Sequence, residues 1–252
     1  MRRSLGWYSA AVFVFLYAPL LILIAFSFNS ARTSVWEHFS WQWYEQVFHD
    51  AQIAESTFNS AVIAVIASAL STVIGTTAAY ALWKKRAPIF SGGLYLSLVT
   101  PEIVTGVSLL AFFQWIFHWM HWHLGLFTVV LAHVAFSIAY VAIVVSARLK
   151  AFDPALEEAA MDLGANDWQA FFRVTLPFLW PGIVAATLLA LIVSFDDYVI
   201  TSLVAGVDSE TLPMVVYAMA RRGTNPALNA ISTLIVIFFG GLILLSEKVR
   251  KA

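Results

Sequence analysis

The chain has 252 residues, of which 61% are hydrophobic and only 12% are charged, and its mean hydropathy is +0.81. A soluble domain of this length cannot bury so much apolar surface, so the composition predicts a polytopic membrane protein and excludes an ordinary globular one. The formal net charge of -1 indicates nothing about partners, because in a membrane protein the position of the charges matters more than their sum. The absence of cysteine excludes disulfides and thiolate metal sites.

Six apolar runs are each long enough to cross a hydrocarbon layer of about 30 Å as a helix. We predict spans at residues 7–28, 58–83, 94–117, 125–146, 181–204 and 227–245. The first run, of about 22 residues, is too long for the apolar part of a signal peptide and lacks a small-residue cleavage site, so we expect it to be retained. The predicted fold is an all-α integral membrane protein with six spans, forming a single domain over residues 1–252.

The connecting segments predict the orientation. With the amino terminus in the cytoplasm, 11 of the 14 Lys and Arg residues lie in inside loops, including the stop sequence Lys84, Lys85 and Arg86 after the second span. Both termini are therefore predicted to be cytoplasmic, as is the loop of residues 147–180. The segment of residues 29–57 would lie on the other side, and its tryptophans predict a loop along the membrane interface.

The cytoplasmic loop contains a long polar stretch at residues 153–177. Asp153 is a good helix N-cap, Pro154 suits the first helical position, and Gly164 is a typical helix stop. A second amphipathic piece at residues 166–174 follows, and Leu176-Pro177 is expected to close the segment. We therefore predict a helix, a turn and a second helix between two spans.

The first of these helices has an apolar stripe with helical spacing. The stripe consists of Leu156, Ala159, Ala160 and Leu163. A short helix with such a face suits docking into a groove, while Glu157, Glu158 and Asp162 are expected to face elsewhere.

The spacing of one set of residues in this loop resembles a known signature. Glu158-Ala159-Ala160, Gly164 after three residues, Val174 after nine more and then Leu176-Pro177 resemble the EAA motif of bacterial ABC importer membrane subunits. An ordinary helix-turn-helix connector would explain the amphipathicity but not this spacing. In that family the loop docks into a cleft on an ATPase subunit. The resemblance thus implies that the coupling residues are Glu158, Ala159, Ala160, Gly164, Leu176 and Pro177.

Three carboxylates lie inside predicted spans. Glu102 follows Pro101 about 8 residues into the third span, and Asp196 and Asp197 lie about 15 residues into the fifth. Charges are costly in hydrocarbon and persist where they face a bundle interior or a water-filled cavity. Adjacent helix positions point about 100° apart, so only one residue of the Asp pair is expected to face a pathway while the other caps backbone or meets a helix. Purely structural hydrogen bonding is the alternative for all three.

Acidic groups in a pathway favour a cationic substrate. Phe195 and Tyr198 flank the Asp pair, and aromatic faces attract ammonium groups, although packing can explain any single ring. We include Tyr198 among the candidate pathway residues.

Further segments extend the resemblance over nearly the whole chain. They are residues 16–19, 27–30, 100–104, 194–197, 212–214 and 225–230. Together they resemble the second permease of spermidine/putrescine ABC importers. That family combines two different permeases in the bacterial cytoplasmic membrane with two copies of an ATPase and a periplasmic or lipid-anchored polyamine-binding protein, and the resemblance implies these partners.

Other readings have less support. Permeases for iron, sulfate or molybdate share the six-span core, but anion permeases have little use for three intramembrane carboxylates. His118, His121 and His123 alternate with tryptophans and favour an interfacial belt over a metal site. His133 in the fourth span is expected to make a packing hydrogen bond.

The sequence contains no phosphate loop, no Ser/His/Asp set and no nucleotide fingerprint. We therefore expect a non-enzymatic subunit without a cofactor, driven by a separate ATPase. A stand-alone secondary transporter that uses the carboxylates as proton or cation sites is the alternative from another class.

Overall fold

The computed structural model describes residues 2–32, 35–85, 88–223 and 226–251. Most of them are helical. The helices are α1 (Arg2–Phe26), α2 (Gln42–His49), α3 (Ala51–Lys85), α4 (Pro88–Val99), α5 (Glu102–Met120), α6 (Leu126–Leu149), α7 (Ala155–Asp162), α8 (Asp167–Ala170), the π-turn Phe171–Thr175, α9 (Leu176–Asp196), α10 (Val199–Val204), α11 (Leu212–Arg221) and α12 (Pro226–Lys251). Two residues used in the sequence analysis lie outside the described residues. They are Arg86 of the stop sequence and Asn225 of the segment 225–230 that contributes to the family resemblance.

Five helical segments of the described chain are long and apolar enough to cross a membrane. They are Gly6–Phe26, Ala51–Lys85, Glu102–Met120, Leu126–Leu149 and Asp167–Asp196. These segments correspond to the first five predicted spans. The predicted sixth span lies in α12, whose described apolar part Pro226–Gly241 is shorter, so a count of six stays a prediction.

The second span begins earlier than residue 58. The Asp50 carboxylate accepts hydrogen bonds from the backbone N–H groups of Gln52 (2.9 Å) and Ile53 (3.2 Å), and this cap starts α3 at Ala51. The interfacial loop predicted at residues 29–57 therefore contains α2 and the first turns of α3.

Two predicted spans are wrong in their continuity. The third is interrupted at Thr100 and Pro101, between α4 and α5, because proline has no N–H to donate and disfavours helix in the residue before it. The fifth begins well before residue 181, with Pro181 inside α9, and breaks between Asp196 and Val199.

The described chain divides into two compact units, Met1–Glu55 with Met214–Ala252 and Ser56–Pro213. In the first unit, α12 packs against α1 and α2. Asn29 organises the connection after α1: its carbonyl oxygen accepts from the Trp43 indole (2.6 Å), its amide nitrogen donates to the Val35 carbonyl (2.8 Å), and its amide oxygen accepts from the Glu37 N–H (3.0 Å). These bonds explain why a polar residue is fully buried there.

Helix α6 is central to the second unit, Ser56–Pro213. It packs along α9 and also contacts α4, α5 and α10. The Thr128 hydroxyl at its start donates to the Val204 carbonyl (2.7 Å) and ties it to the end of α10. Gly75 allows α3 to approach α6 closely, since an added Cβ would lie 2.8 Å from the Val141 Cβ.

Gly75→Ala should therefore destabilise the protein by about 1–3 kcal/mol through overpacking against Val141. Gly93→Ala is the matched control, because Gly93 lies in α4 with nothing within 4 Å of an added Cβ. Ala is the better helix former, so this control should be neutral or stabilising by up to about 1 kcal/mol. Thermal unfolding of the purified protein in detergent measures both, and equal effects would contradict the close approach.

Candidate functional site

A cavity of about 350 Å³ lies in the second unit, where the breaks of the third and fifth spans come together. Its volume is within the range of small-molecule sites. All four predicted pathway residues line it: Glu102, Asp196, Asp197 and Tyr198. The structure thus brings together residues that are almost a hundred positions apart in the chain, while their role in transport stays a prediction.

Glu102 is in the first turn of α5, and the expectation that it lies 8 residues into a continuous helix is wrong. Pro101 ends the preceding helical stretch, and its carbonyl accepts from the N–H groups of Val104 (2.9 Å) and Thr105 (3.2 Å) as α5 begins. A carboxylate at this position is stabilised by the helix dipole.

Asp197 caps α10. Its carboxylate accepts hydrogen bonds from the backbone N–H of Thr201 (2.8 Å) and the Thr201 hydroxyl (2.7 Å), with a longer bond from the N–H of Ile200 (3.4 Å). The expectation that one residue of the Asp pair caps backbone is confirmed. Its premise was wrong, because α9 ends at Asp196 and the two residues do not share a continuous helix.

His133 supports this cap from α6. Its ring is 1% exposed, with Nδ1 2.7 Å from the Ser194 hydroxyl and Nε2 2.9 Å from the Thr201 hydroxyl. Because the Thr201 hydroxyl donates to Asp197, its oxygen accepts from His133 Nε2–H, and Nδ1 then accepts from Ser194. The predicted packing hydrogen bond of His133 is confirmed.

The other two carboxylates are differently placed. Glu102 and Asp196 are exposed on the cavity, and among the described residues neither has a hydrogen-bond or ion-pair partner. Their negative charge is therefore available to a ligand, whereas the charge of Asp197 is occupied by the cap.

Sequence reasoning missed two aromatic residues of this site. Phe136 and Tyr140 line the cavity from α6, with their ring centroids 6.4 Å apart in an edge-to-face arrangement. Their spacing of four residues on a helix was the available signal, since it places both on one face.

The capping predictions for α7 are confirmed. The Asp153 carboxylate accepts a hydrogen bond from the Ala155 N–H at 3.0 Å. The helix starts at Ala155, one residue later than expected. Gly164 has φ +92° after the last turn, the N–H of Ala165 donates to the Ala160 carbonyl (3.1 Å), and the N–H of Gly164 donates to the Met161 carbonyl (2.9 Å). This is a Schellman stop, which favours glycine at the left-handed position.

Three of the four residues in the apolar stripe of α7 are exposed, and the fourth, Ala160, is half-buried. Leu156 is 50% and Leu163 is 91% exposed, and Ala159 and Glu158 are exposed as well. An exposed apolar face bordered by a carboxylate has the properties of a docking surface.

The second helix of the loop is not separate from the fifth span. α8 begins with a capping box in which Asn166 accepts from the Gln169 N–H (2.8 Å) and Gln169 accepts from the Asn166 N–H (3.0 Å). The chain then continues through a π-turn into α9. The expectation that Leu176-Pro177 closes the segment is therefore wrong. In a regular α-helix the Pro177 ring would clash with the carbonyl four residues earlier, and the wider π-turn makes room for it.

Glu157 faces elsewhere than the apolar stripe, as expected, but its burial against the spans was not predicted. Its side chain is buried; it accepts hydrogen bonds from Tyr80 (3.0 Å) and Thr175 and lies 2.8 Å from the Lys84 ammonium. Burial acts to raise its pKa, but the hydrogen bonds from Lys84, Thr175 and Tyr80 outweigh it and hold the pKa of the Glu157 carboxyl below its ordinary value. Composition alone gave no sign of this pairing.

The three histidines at the end of α5 and just after it show no metal geometry. His121 ends the helix in the left-handed conformation (φ 55°). Within the described ranges, no group of three or more His, Cys, Asp or Glu side chains is arranged to hold a metal ion.

The apolar helices, the charged cavity between helix breaks and the exposed capped helix define a multi-pass membrane transport subunit. Residues 71–247 match the family model described as the binding-protein-dependent transport system inner membrane component. The chain belongs to this family, and it is a permease subunit rather than an enzyme.

Curated relatives agree over most of the chain. The putrescine transport system permease protein PotI of Escherichia coli (strain K12) is 42% identical over 231 residues, which cover 89% of this chain and 82% of PotI. The spermidine/putrescine transport system permease protein PotC of Haemophilus influenzae is 35% identical over 244 residues, or 95% of this chain and 93% of that protein. PotC of Escherichia coli (strain K12) is 32% identical over 254 residues, with coverage of 99% and 95%.

Solved structures share the fold. A bacterial ABC transporter that imports the acidic polysaccharide alginate has a TM-score of 0.70 at 18% identity, covering 99% of this chain and 96% of its own. The inward-facing MetNI methionine ABC transporter has a TM-score of 0.67 at 19% identity, covering 79% and 94%. At such identities the likeness shows the fold alone, which is that of type I ABC importer permeases.

The two aspartates should differ in their contribution to stability. Asp197→Ala removes the cap and leaves the Thr201 and Ile200 amides unsatisfied, which should cost about 1–3 kcal/mol. Asp196→Ala removes a carboxylate without a partner in the described chain and should change stability by less than about 0.5 kcal/mol. Thermal unfolding in detergent compares them, and an Asp196 effect as large as that of Asp197 would contradict the assigned cap.

The Glu157 contacts should also show a pH dependence of a definite sign. Because its pKa is lower in the folded chain, the stabilisation is fully present above the unfolded-state value of about 4.3 and is lost as pH falls through the folded pKa. Protease cleavage of the loop around α7 should accelerate as pH falls below about 4 in the wild type. Glu157→Gln should cleave faster at neutral pH and lack this acid dependence; a wild-type profile in that variant would contradict the assignment.

Proposed function

We propose that this chain is one of two permease subunits of an ABC importer for the polyamines spermidine and putrescine. The observation that carries the proposal is the cavity in which Glu102, Asp196 and Asp197 meet between two broken helices. The relatives named as putrescine and spermidine/putrescine permeases, at 32–42% identity, support a polyamine as the substrate.

The cavity suits a flexible cation with several ammonium groups. Glu102 and Asp196 come from different helices and supply two carboxylates for two ammonium groups of one ligand. Phe136 and Tyr140 supply ring faces that attract ammonium and also pack against methylene groups. Tyr198 completes the wall beside the Asp pair.

The exposed face of α7 is the docking site for an ATPase in this proposal. The positive-inside count supports a cytoplasmic location for α7 and for both termini in the bacterial inner membrane. ATP hydrolysis is supplied by a separate ATPase, in two copies, and a second, different permease completes the pathway. A periplasmic or lipid-anchored binding protein delivers the substrate.

Transport then follows alternating access. ATP binding closes the two ATPase subunits and pulls on the α7 helices, and the spans rock so that the cavity opens outward to the docked binding protein. Hydrolysis and product release reset the inward-facing state. The role of Glu102 and Asp196 is to replace part of the water shell of the cation while it is inside the membrane.

Ferric iron or another organic cation is the second candidate, because carboxylates are also hard ligands for metal ions. The aromatic wall of Phe136 and Tyr140 favours an organic ammonium ion over iron. A stand-alone secondary transporter would have no use for the exposed stripe of α7.

The test is uptake of labelled spermidine and putrescine into vesicles that contain this chain with its co-encoded partners, with and without ATP. Asp196→Asn should lower uptake about tenfold or more, since it removes a charge-assisted contact to the substrate, while ATPase association is unchanged. Asp208→Asn, an exposed aspartate outside the cavity, is the matched control and should transport normally.

Glu158→Lys should abolish uptake together with ATPase association, because it reverses a charge on the docking face. Uptake that does not depend on ATP would refute the assignment to an ABC importer. A complex that assembles but moves neither polyamine would refute the substrate and leave the assembly in place.

A further inference from the structure

Three elements of the second unit meet at one buried carboxylate. Glu157 belongs to α7, Lys84 and Tyr80 belong to the last turns of α3, and Thr175 ends the π-turn that leads into α9. The Glu157 side chain is 3% exposed, while the Lys84 side chain is 38% exposed and reaches it from the surface. One carboxylate therefore receives polar contacts from two spans and fixes α7 to both.

These contacts fix α7 by its buried side chain. Within α7, Ala155–Asp162, Glu157 is the buried residue, while Leu156 and Leu163 of the apolar stripe are exposed. α7 also packs against α8 and the π-turn, and Glu157 adds the polar contacts that join it to α3. Buried ion pairs are weak evidence for net stability, so a role in transmission fits the arrangement better than a role in stabilisation alone.

One of the attached elements reaches the cavity. From Thr175, α9 runs to Asp196 as continuous helix, a length of about 30 Å at 1.5 Å per residue. Ile192 and Val193 near its far end line the cavity together with Asp196. α9 is therefore a continuous helical connection, with Pro181 in its first turns, from Thr175 to Asp196 at the cavity.

We propose that Glu157 is a positioning residue that transmits the motion of α7 to α3 and α9, and so sets how much transport each ATP produces. The proposal rests on the proposed function, because it requires α7 to dock on an ATPase. Glu157 lies outside the EAA signature, which begins at Glu158. The two neighbours thus have separate tasks: Glu158 faces the partner, and Glu157 faces the spans.

The first measurement is uptake per ATP hydrolysed by assembled complexes in vesicles. Glu157→Gln keeps an acceptor for Tyr80 and Thr175 but loses the ion pair with Lys84. Such complexes should assemble and hydrolyse ATP, while uptake per ATP falls about fivefold or more, the lower end of a typical coupling between sites. The reciprocal variant Lys84→Glu with Glu157→Lys should restore much of the ratio.

Asp162→Asn is the matched control, with the same loss of charge on an exposed carboxylate of the same helix. It should leave both ATPase association and uptake per ATP unchanged. A wild-type ratio in Glu157→Gln would overturn the proposal. Loss of assembly in Glu157→Gln without rescue by the reciprocal variant would also overturn it, since Glu157 would then act only in folding α7.

The second measurement does not depend on the substrate. The chain has no cysteine, so Ile192→Cys places a single reporter thiol on the cavity wall of α9. In this background the rate of thiol modification should change when ATP binds, and adding Glu157→Gln should reduce that change about fivefold or more. If no polyamine moves but ATP still changes the rate of thiol modification, the substrate assignment fails. The effect of Glu157→Gln on that rate then still decides the role of Glu157. An ATP response that Glu157→Gln leaves intact, or no response in the parent, would overturn the transmission.

Discussion

The cavity depends on the hydrogen bonds between Asp197 and the first turn of α10. A helix that stops inside hydrocarbon leaves backbone N–H groups without partners, each at a cost of several kcal/mol. The Asp197 carboxylate satisfies the Thr201 amide, and Ser194 and Thr201 hold the supporting His133 from both ring nitrogens. Non-helical backbone is tolerated at this depth only where it is buried or lines a cavity. The break and the cavity are therefore one feature, and the polar network allows both.

The same network separates two adjacent carboxylates by function. Asp197 is committed to the α10 cap, so Asp196 faces the cavity with Glu102, which occupies the corresponding break before α5. Two carboxylates without partners in the described chain give one cavity a negative charge that a cation can neutralise. A cationic ligand is thus favoured by the charge that the fold leaves unpaired.

Local signals predicted much of this structure, and long-range pairings were missed. Composition gave the membrane class, and Asp153 and Gly164 predicted both ends of α7, because caps depend on residues a few positions apart. Pro101 was a local sign of the break before Glu102, but a run of apolar residues outweighed it in the span assignment. The break after Asp196 had a local sign in Asp197, which caps Thr201 four residues later, but its support by His133 comes from another helix and was not predicted. The burial of Glu157 likewise depends on Lys84, which is distant in sequence. The sequence therefore predicted that Glu157 faces elsewhere than the apolar stripe, but not that it is buried.

The second unit has directional polar contacts at the two ends of α9. Between them the packing is mostly apolar, with one hydrogen bond between the Thr187 and Thr72 hydroxyls at 3.0 Å. At one end Thr175 bonds to Glu157, and at the other Ser194 bonds to His133. In between, Ala186 and Ala190 are fully buried in the cluster shared with α6. Small side chains let two helices approach closely, which suits the short sliding movements of a shear mechanism. The Thr175 and Ser194 contacts join the two ends of α9 to α7 and to the network at the helix break, so we expect transport coupling to be more sensitive to these end contacts than to the packing between them.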